Sequence, residues 1–203
     1  MSFNLDGLNT VKVELASLDD LCRITKIHMD IFPEDLSTYL GARFVRKHYY
    51  GDLFKRSAGF GLAAYFDSVL VGFVFGVYDC KKLPLIRTVM YFWYELGSFL
   101  LNPMKSLRWL KLFFSRKVGF VHTYKVELIS LGVKREFQGR GISKVLMEAF
   151  KRHLRDKDIH GCWTKTFSSV AVHVYESHGF KPVFNCNVFG REYTFLAWSE
   201  NSG

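Results

Sequence analysis

The chain's four cysteines are few and far apart in sequence. Cys22, Cys80, Cys162 and Cys186 are scattered, none forms a C-x-x-C pair, and each sits in or beside an apolar run. That spacing argues against a zinc site or a disulfide framework, and buried reduced thiols are expected. The histidines offer no metal spacing either. His173 and His178 lie five apart on one predicted helix and do not share a face. His28 and His48 fall on different helices and read as core-edge residues. No metal is expected. The first ten residues, MSFNLDGLNT, show neither a basic stretch nor an apolar core of a signal peptide, so a cytoplasmic location is expected. Internal repeats, low-complexity linkers and RNA- or DNA-binding motifs are missing. Acid is in short supply: 19 Asp and Glu face 28 Lys and Arg, a formal charge of +9. A positive field favours phosphates, nucleotides, nucleic acid or acidic lipid, and charge alone does not choose among them.

What is present is apolar and aromatic. Of 203 residues, 49% are hydrophobic and 23% charged, which excludes intrinsic disorder. The length suits a single domain, 1–203, with one elaboration. Aromatics reach 17%, which implies flat apolar surface in the core or at an interface.

Val11, Val13 and Leu15 alternate with polar residues as a strand does. A helix is predicted from about Leu18, with Ser17 as its N-cap and Pro33 as its stop. Ser37 caps a second helix bearing Leu40, Phe44, His48 and Tyr49 on one face. A hairpin follows: Gly61 to Phe66, a turn at Asp67-Ser68, and Val69 to Val77, apolar enough to be buried on both faces. From about Lys81 to Lys117 the pattern turns to a helical hairpin broken at Asn102-Pro103. Its first helix is too short to cross a bilayer, which takes about 20 apolar residues, and it carries Glu95. The hairpin is expected to pack on the domain or on a second copy in a homodimer. Membrane contact through residues 86–114 is the less favoured reading. Tyr124 to Val133 is a strand, and Arg140 to Arg155 an amphipathic helix with Ile142, Val145, Leu146, Ala149, Phe150 and Leu154 in one stripe. Cys162 to Phe167 is a strand. A helix from Ser168 to His178 is capped by Ser168 or Ser169 and closed by Gly179. Strands Lys181 to Asn187 and Glu192 to Trp198 finish the chain.

The informative stretch is the passage from strand to helix at Gln138-Gly139-Arg140-Gly141-Ile142-Ser143. Two glycines let backbone approach a ligand closely. The first helical turn presents unpaired N–H groups and a partial positive charge, which suits a pyrophosphate. Lys134, Arg135 and Arg140 add positive charge. No G-K-[ST] follows, which removes the P-loop, and the G-x-G-x-x-G spacing of a dinucleotide fold is absent.

In this context the sequence resembles the GNAT superfamily of N-acetyltransferases. That family's signature is Q/R-x-x-G-x-G/A; here Gln138, Gly141 and Ser143 hold those places, with Ser143 in place of glycine or alanine. A later motif, N-x-x-A-I-x-F-Y-E-K-x-G-F, is matched by Ala171, Tyr175, Gly179 and Phe180, with Ser168 standing where asparagine is usual. The resemblance covers most of the chain, and Lys81 to Lys117 looks like an insertion. It implies an α/β fold: a mixed, mostly antiparallel sheet flanked by helices, whose parallel fourth and fifth strands splay apart. Acetyl-CoA would be the co-substrate. Leu131, Gly132 and Val133 would face its pantetheine arm, with a contact from Ser168. Backbone from Gln138 through Gly139, Arg140, Gly141, Ile142 and Ser143 would hold its pyrophosphate.

The resemblance also implies roles in transfer to an amine. The amine must lose a proton, the oxyanion needs stabilising, and the leaving thiolate benefits from a proton. Glu127 reads either as the base, raised by apolar neighbours, or as a surface residue paired with Lys125 or an arginine. Tyr175 is the candidate acid, against a core packing role. The acceptor site would draw on the connection His28 through Ser37, with His28, Phe32 and Pro33. The expected function is acetyl transfer from acetyl-CoA to a primary amine of a small molecule, such as an amino sugar. The alternatives are a protein or peptide N-acetyltransferase, or a non-catalytic basic module that binds CoA, nucleic acid or membrane. No nucleic-acid partner is expected.

Overall fold

Alternation and turn chemistry decide where the strands fall. The structure, a computed structural model, describes residues 2–5, 9–55, 57–78, 124–188 and 191–200. The expected helical hairpin at 81–117 therefore lies outside the described residues. The chain divides into two compact units, Met1–Tyr78 with Leu128–His160, and Asp79–Glu127 with Gly161–Gly203.

In the first unit, β1 (Ser2–Leu5), β2 (Asn9–Leu15), β3 (Gly59–Phe66) and β4 (Val69–Val77) follow one another antiparallel. The next strand in the order is β5 (Val126–Val133), of which Leu128 onward belongs to this unit. β1 was not expected, so the predicted fourth and fifth strands are the observed fifth and sixth. The β3–β4 turn works because Asp67 and Ser68 both take left-handed φ, 46° and 65°. That geometry matches the twist of the strands it joins.

β4 is buried along Leu70–Val77, as its unbroken apolar run predicts. On one face Phe73 and Phe75 meet Tyr50, with ring centroids 5.8 and 4.3 Å apart. On the other, Gly72 and Gly76 leave room for α5 (Ile142–Arg155): a Cβ would come within 3.0 Å of Leu146 Cδ1 at Gly72 and 2.8 Å of Phe150 Cε2 at Gly76. The predicted stripe of α5 is the buried one, and truncating its Phe150 to alanine would cost about 3–5 kcal/mol.

The helices after β2 differ from expectation. α1 (Leu21–Ile31) begins three residues later than predicted. Ser17 does not cap it; its N–H and hydroxyl both donate to Asp20 Oδ2 at 2.9 Å, which closes a turn ahead of the helix. The second helix is broken into α2 (Leu36–Tyr39), α3 (Ala42–Phe44), a π-helical run Val45–Gly51 and α4 (Asp52–Lys55). Gly41, at φ +92°, interrupts it. Gly51 permits the wide turn, because a Cβ there would press on the Arg46 carbonyl at 2.8 Å.

In the second unit, Val126 and Glu127 of β5 pair in parallel with β6 (Gly161–Thr166). β6 pairs antiparallel with β8 (Arg191–Ser199), and β8 with β7 (Lys181–Val188). Trp163 stacks on Phe195 at 5.9 Å, and Phe184 on Phe195 at 4.4 Å. α6 (Ser169–Ser177) is capped by the Ser168 hydroxyl, which accepts from Ala171 N–H at 3.3 Å, and ends at Gly179 with φ +78°. Only the β5–β6 pairing is parallel among the described pairings, which matches the expected mixed, mostly antiparallel α/β architecture.

Of the described cysteines, Cys162 is buried and Cys186 half-buried, but Cys22 is exposed, contrary to expectation. It takes a solvent-facing position on α1, beside the buried Leu21 and Ile24. No helix among the described residues is long and apolar enough to cross a membrane.

Candidate active site

β5 ends at Val133, and Lys134 N–H then donates to Val71 C=O at 2.8 Å, which ties the exit of the strand to β4. A 3-10 turn, Arg135–Phe137, brings the chain to Gln138. The Gln138 side chain folds back and donates to Val133 C=O at 3.0 Å. Gly139 and Gly141 follow at φ +75° and +77°, a backbone that L side chains resist by about 1–2 kcal/mol. A Cβ on Gly139 would meet nothing within 4 Å, so space is open at that residue.

Gly141 is the N-cap of α5 and supplies no side-chain cap. The first bond runs from Val145 N–H to Gly141 C=O at 3.1 Å. The N–H groups of Ile142, Ser143 and Lys144 precede it and have no acceptor within the helix. With the helix dipole they form a ready anion cradle.

The basic residues around the bend are partly committed. Arg135 Nε lies 3.2 Å from Asp30 Oδ1, and its terminal nitrogen donates to Asp30 C=O at 2.8 Å. Lys134 is 4.0 Å from Glu136. The Arg140 guanidinium lies over the Phe137 ring at 5.4 Å and makes no ion pair among the described residues.

The Asp30–Arg135 link fixes the end of α1 to this turn. Ile31 reaches β5 as well, for a Cβ on Gly132 would collide with Ile31 Cδ1 and come within 2.9 Å of Phe73. Gly132 is thus required by packing, while Leu131 and Val133 are half-buried on the opposite face of the strand. Phe32 is half-buried and Pro33 exposed, just past the end of α1. In the first unit the structure therefore brings together the end of β5, the glycine bend and the Phe32–Pro33 connection.

His28 packs behind them, its ring centroid 5.0 Å from that of Phe32. It is 0% exposed, with Nδ1 2.8 Å from the Tyr50 hydroxyl and Nε2 3.0 Å from the Ser37 hydroxyl. Tyr50 in turn donates to Ser130 Oγ at 3.0 Å. Burial lowers its pKa from 6.5 to about 4, so the ring is neutral at physiological pH. It lies in the core against Phe32, below the surface of the expected acceptor connection. Tyr49, beside it, sends its hydroxyl to Ile129 C=O on β5 at a long 3.4 Å.

In the second unit the Glu127 side chain is 13% exposed and stands opposite Trp163. Its carboxylate holds Lys165 Nζ at 3.1 Å, and that ammonium also lies 5.1 Å from the Trp163 ring centroid. The parallel register of β5 with β6 pairs Val126 with Cys162 and Glu127 with Trp163. Tyr175 is buried on α6, 5.5 Å from the Phe180 ring, and Ser168 lines a cavity of about 430 Å³ with Phe167, Val172, Asn185, Arg191 and Thr194. Among the described residues no group of three or more His, Cys, Asp or Glu is arranged to hold a metal ion.

Against known proteins, the profile of the acetyltransferase (GNAT) family matches residues 21–180. The chain belongs to the GNAT acetyltransferase family. Its members are acetyl-CoA-dependent N-acetyltransferases, and this chain is an enzyme of that kind. No curated protein matches it significantly. Solved structures share the fold at low identity. PaiA N-acetyltransferase from Thermoplasma acidophilum, in complex with coenzyme A, is 15% identical over 93% of this chain and 98% of that one, with a TM-score of 0.59. A ribosomal-protein-alanine N-acetyltransferase from Brucella melitensis is 16% identical over 93% and 99%, also at 0.59. YncA from Salmonella typhimurium, with its cofactor acetyl-CoA, is 15% identical over 95% of each chain, at 0.61.

In this GNAT chain the positive-φ bend at Gly139 and Gly141 was legible from the two glycines. Three contacts were missed: Lys165 on Glu127, Arg135 on Asp30, and Gln138 closing on Val133. Lys165 carried a signal, since a lysine three residues past Cys162 alternates onto the face of Trp163. The other two depend on a turn whose path the sequence does not fix.

Proposed function

We propose that this GNAT enzyme transfers the acetyl group of acetyl-CoA to a primary amine of a small cationic molecule, within one domain that carries residues 81–117 as an insertion. The open bend with its row of N–H groups at Ile142–Lys144 is the observation that carries the donor site. Backbone from Gln138 to Ser143 binds the diphosphate, with Arg140 adding charge. Leu131 and Val133 offer main-chain groups to the pantetheine arm.

Glu127 takes the proton of the incoming amine. N–H groups near Val133 stabilise the developing oxyanion, and Tyr175 protonates the departing thiolate. Phe32 and Pro33, flanked by Glu34 and Asp35, suit an acceptor with a cationic amine and some apolar surface.

Calorimetry with acetyl-CoA, followed by thiol release across amino sugars, polyamines, amino acids, aminoglycosides and short peptides, tests the reading. Uptake of acetyl-CoA and turnover on a small amine are expected. Turnover confined to peptides would overturn the acceptor class. Folded protein that takes up no acetyl-CoA would overturn the donor site.

A further inference from the structure

We infer that Tyr50 is a positioning residue for acetyl-CoA: its hydroxyl, held on Ser130, sets the path of β5 into the glycine bend. The inference rests on the donor reading above. Every group it uses lies in the first unit.

Tyr50 bridges two strands. Its ring lies on β4, with centroids 5.8 Å from Phe73 and 4.3 Å from Phe75. Its hydroxyl donates to Ser130 Oγ on β5 at 3.0 Å. His28 Nδ1 on α1 lies 2.8 Å from the same hydroxyl, and His28 Nε2 lies 3.0 Å from Ser37 Oγ on α2. One chain of polar side chains therefore runs from α2 through α1 and the π-helical run to β5. All its members are buried, from 0% exposed at His28 and Tyr50 to 6% at Ser130.

Two more contacts grip the same stretch of strand. The Tyr49 hydroxyl donates to Ile129 C=O, and Ile31 packs on the bare Cα of Gly132. β5 is thus held at residues 129, 130 and 132, just where Leu131 and Val133 offer their main chain. From Val133 the chain passes directly into the turn that carries Gly139 and Gly141.

The polar character of this grip is what points beyond packing. Apolar side chains at positions 28 and 130 would fill the space without the cost of burying polar groups. A satisfied buried network instead fixes one arrangement, because hydrogen bonds constrain direction as well as distance. The backbone says the same. Adjacent residues of a regular α-helix point about 100° apart. In the wider π run Tyr49 and Tyr50 both send their hydroxyls to β5. Such π turns are rare and recur at functional sites.

Tyr50→Phe removes one oxygen and leaves the ring on Phe73 and Phe75. Ser130→Ala removes the other end of the same bond and serves if the first variant does not fold. Ile24→Val and Ile24→Ala, buried apolar changes on α1 outside the polar chain, bracket the loss of stability in urea. Calorimetry measures acetyl-CoA affinity, and amide NMR spectra of the ligand-free protein report β5 and the bend. Tyr50→Phe and Ser130→Ala should each weaken acetyl-CoA binding by about fivefold or more, as loss of one positioning hydrogen bond implies. Both should raise KM for acetyl-CoA more than they lower kcat, and both should move the amide signals of Leu131, Val133 and Gly139 to Ser143. The Ile24 variants should keep wild-type affinity and leave those signals in place. A smaller loss of affinity, a loss that the Ile24 variants share, or unmoved signals would overturn the inference alone. Folded wild-type protein that takes up no acetyl-CoA would overturn the donor reading and this inference with it.

Discussion

Acid should destabilise this protein through one buried ring. His28 is enclosed by α1, α2 and the π-helical run, and both its nitrogens face hydroxyls, those of Tyr50 and Ser37. Burial disfavours the imidazolium, so the folded pKa falls to about 4. The unfolded chain keeps about 6.5. Between those values the unfolded state binds the extra proton, so stability is full above the unfolded pKa and falls as pH drops toward the folded one. The gap sets a limit of about 3 kcal/mol, of which about 2 kcal/mol is gone by pH 5. Urea unfolding followed by tryptophan fluorescence at pH 8 and pH 5 measures it, alongside His28→Gln. The variant is expected to be less stable at pH 8, because a buried hydrogen-bond pair is disturbed. Its further loss on going to pH 5 should be smaller than that of the wild type by about 2 kcal/mol. His153 is also depressed, by burial and by Lys157, and adds loss in the same direction to both proteins. The difference between them is therefore the diagnostic quantity. If both lose the same stability, His28 is not held neutral by the fold and the reasoning fails.

Two further substitutions address the proposed chemistry. Gly141→Ala forces an L residue to φ +77° at the N-cap of α5; the strain of about 1–2 kcal/mol should weaken acetyl-CoA binding about tenfold by calorimetry. An affinity within twofold of wild type would separate the bend from donor binding. Tyr175→Phe should lower turnover about a hundredfold, as loss of a general acid does, and leave acetyl-CoA affinity nearly intact. Unchanged turnover would remove Tyr175 from the acid role and leave it a packing residue against Phe180.

The legible parts of the fold are those in which one local rule operates. α5 was read from its stripe because Phe150 and Leu146 repeat at helical spacing, and they are buried as that spacing requires. The β3–β4 hairpin was read from Asp67-Ser68, whose turn geometry is local. α6 was read from Ser168 and Gly179, a cap and a stop within the helix's own sequence. The misreadings arise where tertiary contacts compete with a local preference. Ser17 is a good N-cap by type, yet Asp20 captures it together with Tyr65 and Arg23, and the helix starts later. The stretch after Gly41 has a helical period, but Tyr50 is drawn to His28 and Ser130, and the backbone widens to π geometry there. The family resemblance assigns His28 to the acceptor connection, while the residue pattern alone reads it as core-edge. Its two hydroxyl partners, nine and 22 residues later, hold it in the core.

The same competition bears on the proposed donor site. Gln138 leads the family signature, but its side chain is engaged with Val133 C=O. Arg135 is engaged with Asp30, and the bare Cα of Gly132 is needed by Ile31 and Phe73. Side chains that a sequence reader would assign to the ligand are holding the turn in shape. What they hold open is backbone: the amides from Gly139 to Lys144, aimed by two positive-φ glycines. Backbone donors are indifferent to side-chain identity, so in the proposed site Ser143 can stand where glycine or alanine is usual, since its N–H is the same donor. A substitution at Gln138 should accordingly act through the path of the turn and not through a lost ligand contact.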